Sequence, residues 1–266
     1  GQSAPQVTGE FEVNGHTLYW ERYGLEYERT VLLLHHGLGS IEAWSLQIGA
    51  LAAAGWHVLV YDRWGYGRSD PRPQFEEGFL QKDKEEAIQL LQSFGLKKAS
   101  IIGHSDGGTI ALMLAAEYPQ IVERLIVVAA HIYVEPKMEQ GLAGIAAAID
   151  NPAFIQALNR QHGQKAEALA RAWINHWQRV GPKGLDIQDL LPKIECPTLV
   201  IQGEQDEHAT AQHAHDITDM VQNGRVWLIP GVGHMPPHEV PENFNQMVLD
   251  FLERESLTPE PSSPGS

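Results

Sequence analysis

Residues 99–119 read ASIIGHSDGGTIALMLAAEYP, and the reading of this stretch decides the fold. A short apolar run leads into Gly103-His104-Ser105-Asp106-Gly107-Gly108, and a helix-prone run leads out. Strand, then Gly-x-Ser-x-Gly, then helix is the setting of a nucleophile elbow, where a serine sits on a strained turn with its hydroxyl exposed. Such a turn brings strand and helix so close that Gly103 and Gly107 must lack side chains, and Gly108 adds room. A plain helix cap at Ser105 is the other reading, but a cap does not need glycine on both sides.

Outward from this stretch, short apolar runs recur at 30–36, 57–63, 122–130, 197–203 and 225–230. They read as strands buried on both faces of a parallel sheet. Helical segments near 41–54, 76–94, 106–118, 209–222 and 241–254 alternate with them, which predicts an α/β fold with a mostly parallel twisted sheet flanked by helices. Alternating runs around Asn14-Gly15 predict an opening antiparallel hairpin. The interval 134–192 offers only helix-prone stretches and is too long for a loop, so it is expected to be a helical lid. The expected layout is a core of 1–133 and 193–256, the lid between, and a disordered Pro- and Ser-rich tail over 257–266.

A serine hydroxyl needs a base, and the base needs an acid to orient it. His234, in GVGHMPPHE, follows the last expected strand, and Asp206, in GEQD, follows the strand before it. Both lie where α/β sites form, at the C-terminal ends of strands, and Ser105, Asp206, His234 is the chain order this architecture uses. His238 is the rival base, and Glu204 and Glu207 are the rival acids. In HHGLGS, Gly37 and Gly39 flank Leu38, whose backbone N–H is expected to hold a developing oxyanion together with the N–H of Asp106.

With HHGLGS, YDRWGYGRSD, GHSDGG, GEQD and GVGHMPPHE in place, the chain resembles an α/β-hydrolase over nearly its whole length. More narrowly, GHSDGGTIALMLAAEYP, LLPKIECPTLVIQGEQD and GHMPPHEVPENFNQMVLDFL resemble the valacyclovir-hydrolase (biphenyl-hydrolase-like) branch. The resemblance implies a serine esterase without a cofactor, acting on a small-molecule ester. One departure is that Trp64 stands where relatives often carry the Arg of Asp-x-Arg-Gly-x-Gly, with Arg63 before it. Asp62 reads as a structural turn residue.

Asp106 carries two open readings. Its carboxylate suits the first turn of a helix, by about 0.3 to 1 kcal/mol. In the branch the chain resembles, the matching acid receives the α-ammonium of amino-acid esters. Carbon–carbon bond hydrolysis or perhydrolysis on the same three residues, and a ligand receptor on this scaffold, are the alternative functions.

Bulk properties narrow the partners. A net charge of −15 argues against nucleic acid and anionic membranes. No apolar run reaches membrane-span length, and GQSAPQVTGE lacks a signal-peptide layout, so a cytoplasmic location is expected. The single cysteine, Cys196, fits a reducing compartment. His208, His213 and His215 do not share one helical face with a fourth ligand, so no metal is expected. Trp173 and Trp177, at helical spacing in the lid, read as packing residues.

Overall fold

A computed structural model describes residues 4–254. Among these residues one sheet has eight strands in the order β1-β2-β4-β3-β5-β6-β7-β8. The strands are β1 (Val7–Val13), β2 (His16–Tyr23), β3 (Thr30–Leu34), β4 (His57–Tyr61), β5 (Ala99–His104), β6 (Val122–Val128), β7 (Thr198–Gly203) and β8 (Gly224–Ile229). The first two form the antiparallel hairpin expected from Asn14-Gly15, with Asn14 at φ 50° and Gly15 at φ 83°. β2 also meets β4 antiparallel, and every later pairing is parallel. The strand order turns back on itself at β4-β3-β5, which opens a crevice at the C-terminal ends of β3 and β5.

Period-two alternation gives each face of the sheet its own core. Val31 and Leu33 of β3 point to one side with Val58 and Val60 of β4, and there they meet α1 (Ser45–Ala53) and α9 (Pro241–Leu252). Leu32, Leu34 and Leu59 point to the other, toward α2 (Phe79–Ser93), α3 (Asp106–Glu117) and α7 (Gln212–Met220). Burial of these aliphatic side chains, at about 1.5–3 kcal/mol each, is the main force that fixes the layers. The short α8 (Pro236–Glu239) precedes α9.

Between β6 and β7 the chain leaves the sheet and forms α4 (Pro136–Ile149), α5 (Pro152–His162) and α6 (Ala166–Val180). A proline opens α4 and α5, where its missing N–H costs no hydrogen bond, and the Asn151 side chain caps α5 by accepting the N–H of Ala153. α6 turns Leu169, Ala170, Trp173, Ile174 and Trp177 inward and packs against both α4 and α5. Among the described residues no single helix is long and apolar enough to cross a membrane. The expected tail, 257–266, lies outside the described residues.

The departure at Trp64 has a clear packing outcome. Its ring stacks on His16 with centroids 3.8 Å apart, and its indole N–H donates to the Pro71 carbonyl. Arg63 turns inward instead, donating to Asp83 at 2.7 Å and to the His35 carbonyl at 3.0 Å. Asp62 ties two loops together, accepting the N–H of Ile41 at 2.8 Å and of Arg68 at 2.9 Å.

Candidate active site

Ser105 sits between β5 and α3 at φ 54°, ψ −115°, a backbone region that a non-glycine residue adopts only when its surroundings impose it. The surroundings here are rigid. A Cβ on Gly103 would lie 2.2 Å from the Gly107 carbonyl oxygen, and one on Gly107 would lie 2.2 Å from that of Leu34. The Ser105 N–H is held by the Val128 carbonyl at 2.7 Å, which pins the turn to β6.

His234 follows β8 and Asp206 follows β7, and both reach back to this turn. His234 Nε2 lies 3.1 Å from Ser105 Oγ, and its Nδ1 lies 2.8 Å from Asp206 Oδ2. Because the carboxylate only accepts, the proton sits on Nδ1 and the Nε2 lone pair faces the serine hydroxyl. Burial drives Asp206 toward the neutral acid. The hydrogen bond and charge of His234 outweigh that, aided by the His208 N–H at 2.7 Å and the Gln202 amide at 2.9 Å, and hold the carboxyl well below the usual carboxylate range. His238 instead bonds the Ala43 carbonyl at 2.7 Å, away from the serine. Glu204 and Glu207 are exposed, whereas Asp206 is fully buried.

The histidine's own backbone is gripped from several sides. Glu239 accepts the N–H of Gly233 at 3.0 Å and of Met235 at 2.9 Å, and His104 Nε2 donates to the His234 carbonyl at 2.8 Å. Burial pushes His104 down to about 3, so it stays neutral.

Leu38, in the turn after β3, has φ 64°, and the turn closes by a Gly39 N–H bond to the His36 carbonyl at 3.0 Å. Gly37 passes close against Asp106 and Trp173, where an added Cβ would come within 2.6 Å of the carboxylate. Among the described residues no acceptor takes the N–H of Leu38 or of Asp106.

A cavity of about 250 Å³ opens onto Ser105, with Leu38, Asp106, His131, His208 and His234 along one side. Met138, Leu142, Phe154, Leu158, Trp173 and Trp177 of the insertion supply most of its apolar lining. Trp173 does more than pack, because its indole N–H donates to Asp106 Oδ2 at 3.0 Å. Burial pushes the Asp106 carboxyl above its ordinary value, against the pull of Arg63 and of the Trp173 bond. His213 does not reach the cavity and stacks on Tyr133 at 4.2 Å, while His208 lies edge-on to the His234 ring at 4.6 Å.

The role of Trp173 was not legible in the spacing, although a buried tryptophan always raises the question of where its N–H goes. Glu239 had a faint signal, a carboxylate five residues after the histidine. Gln202 and His104 had none, since strand residues beside a site look like any other strand residue.

Comparisons with known proteins agree with this fold. The model of the Alpha/beta hydrolase family matches residues 31–247. Serine hydrolase BPHL of Mus musculus is 30% identical over 257 residues, spanning 93% of this chain and 87% of that protein. The putative carbamate hydrolase RutD of Stutzerimonas stutzeri is 28% identical over 258 residues, spanning 88% of this chain and 96% of its own. The crystal structure of a hydrolase from Pseudomonas aeruginosa superposes with a TM-score of 0.77 at 22% identity, over 94% of this chain and 99% of the other.

Proposed function

The chain belongs to the alpha/beta hydrolase family, and within it we propose a serine hydrolase that cleaves small carboxylic esters whose acyl part carries an α-ammonium group. The observation that carries the reading is the continuous hydrogen-bonded chain from Ser105 through His234 to Asp206, at 3.1 and 2.8 Å.

Ser105 Oγ attacks the ester carbonyl while His234 Nε2 takes its proton, and Asp206 stabilises the imidazolium so formed. The carbonyl oxygen becomes an oxyanion held by the N–H groups of Leu38 and Asp106. His234 returns the proton to the leaving alcohol, and the acyl group stays on Ser105. A water then gives its proton to His234 and attacks the acyl carbon, and as this second tetrahedral species collapses His234 returns the proton to Ser105 Oγ, freeing the acid and restoring the serine hydroxyl.

Asp106 supports the amino-ester part. Its backbone serves the oxyanion whatever its side chain is, so the carboxylate has a separate use. It lines the cavity beside the serine, where an acyl substituent would lie. Opposite charges about 4 Å apart are worth roughly 4 kcal/mol at an effective dielectric of 20, before desolvation. If about 1.4 kcal/mol survives, the enzyme favours the charged ester tenfold. RutD is named for a carbamate bond, and the fold alone does not choose between that bond and an ester.

The test is kcat/KM for a valine alkyl ester against its N-acetyl counterpart, in wild type and Asp106→Ala. A preference of about tenfold or more for the free amine that vanishes in the variant supports the reading. Equal turnover of the two esters moves the search to uncharged esters, and absence of ester cleavage together with an unreactive Ser105 removes the mechanism.

A further inference from the structure

We infer that the helical insertion braces the oxyanion pocket, with His162 at the end of α5 acting as the positioning residue that holds Leu38 in its donor conformation. The inference rests on the reading of the Leu38 N–H as an oxyanion donor.

Leu38 is the wrong residue for its own backbone. At φ 64° it occupies the left-handed region that side chains disfavour, so something outside the turn must hold it there. The holding group is His162, whose Nε2 lies 2.8 Å from the Leu38 carbonyl oxygen. Its other nitrogen, Nδ1, accepts the N–H of Gly67 at 2.8 Å. A carbonyl only accepts and a backbone N–H only donates, so the ring is neutral with its proton on Nε2. The imidazole therefore bridges the loops that follow β3 and β4, with both nitrogens used and only 3% of the residue exposed. Burial pushes His162 down to about 4, which keeps Nδ1 an acceptor at neutral pH.

The neighbouring contacts point the same way. Gln161, the preceding residue of α5, accepts the Ser40 hydroxyl at 2.8 Å, two residues beyond Leu38. Trp173 of α6 holds the side chain of Asp106, the residue proposed to supply the other N–H. Each proposed oxyanion donor thus has a hydrogen bond to the insertion. Relaxing Leu38 to a negative φ would reorient its N–H and carry its carbonyl away from His162. The Leu38 donor is then in place only while the insertion is docked, which couples closure over the substrate to completion of the oxyanion pocket.

The experiment compares the full chain with His162→Phe, which keeps a ring and removes both bonds, and with His162→Gln, whose amide N–H can still reach the Leu38 carbonyl. Readouts are kcat and KM for a valine alkyl ester, and the inhibition constant of an alkylboronic acid. Its tetrahedral adduct on Ser105 places an oxygen in the oxyanion pocket. A misplaced group costs about 10²-fold, so His162→Phe is expected to lose that much in kcat and in boronate affinity with KM changed by about threefold at most. His162→Gln is expected to recover about tenfold of the loss.

Unchanged kcat and boronate affinity in His162→Phe, with Ser105 still labelled by a fluorophosphonate, overturn the brace alone. Failure of the wild type to take the fluorophosphonate overturns the serine mechanism beneath it. If His162→Phe does not fold, His162→Gln is set against His162→Asn, whose shorter amide can keep the Gly67 bond but not the Leu38 bond. The Gln variant turning over faster supports the brace, and equal or reversed rates overturn it.

Discussion

The indole N–H of Trp173 donates to Asp106 Oδ2 at 3.0 Å, so a helix of the insertion holds the carboxylate that directly follows the serine. In the proposed mechanism, this bond explains how an acid is tolerated beside a centre that develops negative charge. The carboxylate is turned toward Trp173, with the fully buried Arg63 as a further favourable charge, while its backbone N–H stays free for the oxyanion.

The first expectation follows from that bond. Trp173→Phe keeps an aromatic wall but removes the donor, so the Asp106 carboxylate loses orientation and moves closer to its neutral form. A hydrogen bond is worth about 1 kcal/mol net, which converts to roughly a fivefold fall in the preference for the valine ester over its N-acetyl form. The ratio of the two kcat/KM values measures it. A rise in the ratio would instead mean that Trp173 competes with the ammonium for the same oxygen.

A pH profile tests the charge on Asp106 directly. Burial raises its carboxyl above the ordinary value, so on acidification it takes up a proton earlier than an exposed aspartate does. Recognition of an ammonium needs the carboxylate form, which prevails above the raised value and is lost as pH falls through it. The substrate amine becomes charged below about pH 8, so the preference ratio should rise there and then fall again at acid pH. Both esters use the same serine and base, so effects on the chemical step they share cancel in the ratio. In Asp106→Asn the acid-side fall should disappear.

Much of this arrangement could be read from the chain, for identifiable reasons. The sheet and its hairpin announce themselves through local patterns, such as Asn14-Gly15 and the two-sided run Thr30–Leu34. The elbow was legible because Gly103 and Gly107 answer a steric demand that few other turns make. Asp206 and His234 followed from their places at strand ends. The contacts of the insertion were not legible, because Trp173 meets Asp106 across 67 residues and His162 meets Leu38 across 124. Such pairs depend on how three helices dock, and docking has no short-range signature. The packing of the loop at Trp64 was not legible either, since its stacking on His16 and the inward turn of Arg63 to Asp83 are contacts across distant segments.

That inward arginine gives the last expectation. Asp83 lies between Arg63 and Arg72, accepting from one at 2.7 Å and the other at 2.8 Å, and all three side chains are 1% exposed. One carboxylate thus serves two buried guanidinium groups, and Arg63 has the His35 carbonyl as a further acceptor. Asp83→Asn keeps the shape but removes the charge, leaving two cations in a medium that solvates neither. Breaking a buried pair in this way costs about 3–5 kcal/mol, far more than a surface pair at about 0–1 kcal/mol. Urea unfolding of the variant should show a loss in the larger range, since arginine cannot shed its proton to escape. A loss below about 1 kcal/mol would mean that water reaches the pair, and that the burial of this cluster contributes little to holding the loop behind the site.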